Sequence, residues 1–138
     1  MVEQLTLQPV GLTSTQFKRL SEYAHESSLL PPAALLEKAR AHLREAAAAY
    51  RRNRLVNLRL ATAIGETIGD VIGEWDALPE VARPWLAAAI LYFSSHQDEE
   101  PDFTSPIGFE DDLEVLNACL RFARREELCL RPEDYDDV

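Results

Sequence analysis

The chain has 138 residues, 46% of them hydrophobic and 28% charged, and carries a formal net charge of −10. That length and apolar content fit one globular domain with a real core and exclude a disordered chain, while the acidic balance argues against nucleic acid as a partner, because phosphate contacts need a basic face. Five glycines, long Ala/Leu/Glu/Arg stretches and the lack of any alternating β-branched run predict an all-α domain.

The charge is not evenly spread. Residues 1–60 hold nine basic against five acidic side chains, and residues 61–138 hold five against nineteen. The two halves are therefore expected to attract each other within one fold or across a dimer. The start, Met1 to Val10, lacks the basic and then apolar blocks of a signal peptide. With only Cys119 and Cys129 there is no disulfide framework, and a reduced, cytoplasmic setting is the expectation.

Residues 1–12 read as an N-terminal extension and 13–75 as the N-terminal helices. Thr13, with Gln16 three positions on, has the pattern of a capping box and predicts a helix to about Ser27, with Phe17, Leu20 and Ala24 facing inward. Pro31-Pro32 then breaks the chain and starts a second helix, since proline suits a first helical turn. Leu36, Ala39, Leu43, Ala46 and Tyr50 recur at spacings of three and four and predict its buried face, opposite Lys38, Arg40, Arg44, Glu45 and Arg51. The same count next meets Asn53 and Asn57, so a bend between two helices is expected there rather than one helix throughout 33–75.

The third helix, about Leu55 to Trp75, carries Gly65, Gly69 and Gly73, each preceded by an isoleucine. A glycine inside a helix costs roughly 1 kcal/mol relative to alanine, and three on one face call for the close approach of another backbone. An internal helix contact is the first expectation; a homodimer seam or ligand groove is the alternative. Glu66, Asp70 and Glu74 argue against a lipid-facing helix.

Leu78-Pro79 ends that element, and a helix-loop-helix over 79–125 follows. Its first helix, about 84–95, is apolar all round (Trp85, Leu86, Ile90, Leu91, Tyr92, Phe93) and is expected at the centre of a single-domain bundle of about five helices. It falls well short of the roughly twenty apolar residues of a membrane span, and membrane association is not expected. A last helix, about Phe109 to Arg125, would bury Leu113, Leu116, Leu120 and Ala123, with an acidic start and a basic end that suit its dipole. Residues 126–138 read as an acidic tail, frayed towards its end.

The connecting segment is the most specific stretch. Pro101 and Pro106 stiffen it, Gly108 permits a tight entry into the last helix, and Asp111 and Asp112 fall in that helix's first turn. Asp98, Pro101, Asp102, Gly108, Asp111 and Asp112, with Tyr92 in the preceding helix, resemble the hallmark of the YkvA-like family, a mostly bacterial domain of unknown function numbered 1232. The likeness lies within residues 84–120, about a quarter of the chain. Glu99 and Glu100 stand where that family usually has apolar residues, and Pro106 lies one position late. The resemblance implies a helical fold and a shared loop, and no reaction.

Three functional readings follow. The leading one is a non-catalytic interaction or adaptor module, a homodimer or the binder of another protein, working through its charge asymmetry and the stripe of Gly65, Gly69 and Gly73. The second is a site for a divalent cation (Mg²⁺, Ca²⁺ or Mn²⁺) on Asp98, Asp102, Asp111 and Asp112, whose oxygens suit hard ions but equally cap and brace helices. The third is an enzyme using paired carboxylates as acid and base. No nucleophile–base spacing, phosphate loop or zinc motif supports it; His25 reads as a surface residue and His42 as a partly buried structural one.

Overall fold

The computed structural model describes residues 8–27, 30–54, 56–94 and 109–135. Its helices are α1 (Ser14–Ser27), α2 (Pro32–Arg52), α3 (Leu58–Gly73), α4 (Arg83–Ser94) and α5 (Glu110–Phe122), with short 3-10 turns at Trp75–Ala77, Glu126–Leu128 and Pro132–Tyr135. The fold is an all-α bundle, and no strand occurs among the described residues. As its composition predicts, α4 is the central element: every residue from Leu86 to Phe93 is buried. Helices α1, α2 and α5 pack against it, while α3 pairs with α2. Burying each large apolar side chain of this core contributes about 1.5–3 kcal/mol.

The helix starts follow local chemistry. The backbone N–H of Gln16 donates to Thr13 Oγ1 at 3.1 Å and that of Thr13 to Gln16 Oε1 at 3.0 Å, so the capping box forms in full. The α2–α3 region is two helices. Asn53 N–H closes α2 on the Ala49 carbonyl, and the Asn57 side chain accepts from Leu60 N–H at 3.1 Å to open α3. This cap moves the start of α3 from about Leu55 to Leu58.

Two expectations are corrected. The buried line of α2 is Leu35, Ala39, His42, Ala46 and Ala49, whereas Leu36, Leu43 and Tyr50 are only partly buried. A helix with neighbours on two sides has two apolar faces, and the spacing of three and four selected positions from both. Up to Tyr135 the tail is also more ordered than its composition suggests. Pro132–Tyr135 packs on α3, Arg59 donates to the Asp134 carbonyl at 3.5 Å, and the Asn117 amide holds Leu130 through both its backbone groups at 2.9 and 3.1 Å.

Helix α5 stops at Phe122, before the expected Arg125, because Arg124 adopts a left-handed φ of 62°. The Arg125 N–H reaches back to the Leu120 carbonyl at 2.8 Å and Arg124 N–H to Arg121 at 3.1 Å, a Schellman ending on a residue other than glycine.

Candidate functional site

Two regions are candidates for a functional role, one closed and one open. In the closed region the Tyr92 hydroxyl donates to Asp111 Oδ2 and the Gln16 amide to Asp111 Oδ1, both at 2.5 Å. Tyr92 is 2% exposed, so α4 delivers its phenol to a carboxylate rather than to water. Asp111 stands in the first turn of α5, where the helix dipole favours a negative charge. Gln16 is engaged at both ends, its oxygen capping α1 and its nitrogen holding Asp111. The sequence assigns Gln16 to capping alone. The available signal was the amide itself, since a glutamate would cap equally well and could not donate.

Asp112, in the same turn, is 1% exposed. Asp98 and Asp102, the other two candidate metal ligands, lie outside the described residues, as do Pro101 and Gly108 of the family-like motif. Among the described residues no group of three or more His, Cys, Asp or Glu side chains gathers as an ion would require. Asp111 spends its oxygens on two protein donors, as a structural clasp does.

His42 is more deeply placed than expected, at 2% exposure. Its ring lies edge-on to Phe93 at 5.1 Å and to Phe109 at 6.1 Å, where α2, α4 and the start of α5 meet. It also lines a cleft of about 320 Å³ with Tyr23, Lys38, Glu45, Leu91 and Ser94. His25 is exposed, as read. Burial pushes the Cys119 thiol well above its ordinary range, and raises Cys129 against the opposing pull of Arg121, so neither is a ready thiolate.

The open region is the groove between α2 and α3. The turn at 53–57 makes these helices an antiparallel hairpin, and Leu43 lies against Gly65, where a Cβ would stand 3.0 Å from Leu43 Cδ2. Internal packing thus explains Gly65. It does not explain Gly69 or Gly73, where, among the described residues and apart from the adjoining turns of α3 itself, no atom comes within 4 Å of a Cβ position. Among the described residues, the internal contact expected along the stripe is found at Gly65 and not at Gly69 or Gly73.

Gly69 instead lines a cleft of about 260 Å³ with Leu36, Ala39, Leu43 and Gly65 on its floor and Arg40, Thr62 and Glu66 on its banks. Thr62 and Glu66 also border a second cleft of about 390 Å³, with Tyr50, Leu58, Arg59, Ala63 and Tyr135. The two clefts meet at Thr62 and Glu66. Arg40 and Glu66 both line the first, yet neither makes an ion pair among the described residues. Beyond the clefts, Arg51, Arg52 and Arg54 are exposed, with Arg54 4.5 Å from the centre of the Tyr50 ring. No described helix is long and apolar enough to cross a membrane. No protein-family model matches the chain, and neither do any curated protein or solved structure.

Proposed function

We propose that the chain is a non-catalytic helical interaction module whose docking surface is the α2–α3 groove. The observation that carries this reading is the open glycine. Gly69 lines an apolar-floored groove and, among the described residues, meets no packed neighbour that would explain its missing side chain. A helix accepts that loss where another backbone comes close. The hydrogen-bonded clasp of Gln16, Tyr92 and Asp111 is the scaffold that sets the helices beneath this surface. We further propose kinship with the YkvA-like family, on the support that Tyr92 and Asp111, two of the resembling positions, bond directly to each other.

The test is a photo-crosslinking residue at Thr62, on the groove bank, and at Glu22, exposed on α1. A discrete adduct from Thr62 and none from Glu22, in cells making the protein, is the expected result. Equal labelling from both positions, or none from either, overturns the reading.

A further inference from the structure

We infer that the occupant of the α2–α3 groove is a second copy of this chain, related by a two-fold axis along the groove, so that Arg40 of each copy meets Glu66 of the other. This rests on the docking reading above and adds the partner and its orientation.

The argument is charge and shape together. Arg40 gives the α2 bank a positive charge and Glu66 gives the α3 bank a negative one, and neither is neutralised within the described chain. Around Gly69, a partner that presents a negative charge to α2 and a positive charge to α3, over an apolar strip, would complement both banks; Arg59 lies further along, in the cleft beside Tyr50. A second copy carries that complement. A homodimer interface is self-complementary under a two-fold axis, and with the helices of the two copies aligned that axis runs either across or along the groove.

With the axis across the groove, α2 faces α2 and α3 faces α3, so Arg40 nears Arg40 and Glu66 nears Glu66, which is repulsive. With the axis along the groove, α2 of each copy lies on α3 of the other, and both contacts become opposite-charge pairs. Gly69 on the floor lets the helices approach, giving a four-helix layer.

Sedimentation analysis at low and high salt, with melting curves to verify folding, tests the pairing. The wild type is expected to be a dimer that weakens as salt screens the banks. Arg40→Glu and Glu66→Arg each place like charges together and should weaken it about tenfold or more, and both changes in one chain should restore it. Arg40→Ala should also weaken it; a tighter dimer instead would overturn this orientation, as would a dimer indifferent to every change. A monomeric wild type whose Thr62 crosslinker captures a different protein overturns the second copy and leaves the docking reading standing. A monomer with no adduct overturns both.

Discussion

The clasp and the groove are built from the same kinds of residue and treat them oppositely. At the clasp, one amide, one phenol and one carboxylate from three helices meet in hydrogen bonds of 2.5 Å. Along the groove, an arginine and a glutamate line the same cleft without an ion pair among the described residues, and a glycine stands open. Buried polar groups that satisfy one another hold a fold together. An apolar strip with exposed charges on its banks is where we propose that a partner docks. The most chemically suggestive residue in the sequence, Asp111, therefore belongs to the scaffold, and the plainer α2–α3 face carries the functional proposal.

The comparison can be broken first at Gln16. Gln16→Glu keeps the cap on α1 but sets a second carboxylate against Asp111, with an expected loss of about 2–4 kcal/mol near neutral pH. Urea denaturation reads that loss directly. Tyr92→Phe removes one donor from a charged acceptor and should cost about 1.5–3 kcal/mol, again by denaturant titration. Were either change neutral, the clasp would not be the scaffold described here.

Glycine substitutions sharpen the contrast from the other side. Gly69→Ala adds a methyl group into open space and relieves the helix penalty, so the monomer should gain about 1 kcal/mol. At Gly65 the new Cβ meets Leu43 at 3.0 Å, and the gain should be clearly smaller. Equal gains in thermal melts of dilute protein would deny that the stripe divides into a packed and an open part. Arg124→Gly relieves a left-handed backbone at the end of α5 and should raise stability by up to about 1 kcal/mol, remote from both regions.

Much of the fold was legible because its signals are local. The capping box at Thr13 and Gln16, the break at Asn53–Asn57 and the all-round apolarity of α4 each depend on residues close together in the chain. What was not legible depends on what lies opposite. The spacing of α2 could not separate its α4 face from its α3 face, so Leu36 and Leu43 were placed too deep and His42 too shallow. The glycine stripe announced close approach but not where it ends, because that depends on how far the paired helices stay in contact. Gln16 and Asp111 lie 95 positions apart, and no local pattern joins them. The candidate ligands Asp98 and Asp102 lie outside the described residues, which leaves Asp111 and Asp112 as the described half of that loop motif.

The most direct measurement is sedimentation equilibrium on the wild type and on Thr62→Trp side by side. Thr62 is exposed at the point the two clefts share, so an indole there fills the groove without touching the core. If the groove is where copies meet, the wild type runs as a concentration-dependent dimer and Thr62→Trp as a monomer, and the two melt alike only at dilutions where both are monomeric. The same mass for both proteins at every concentration would contradict it.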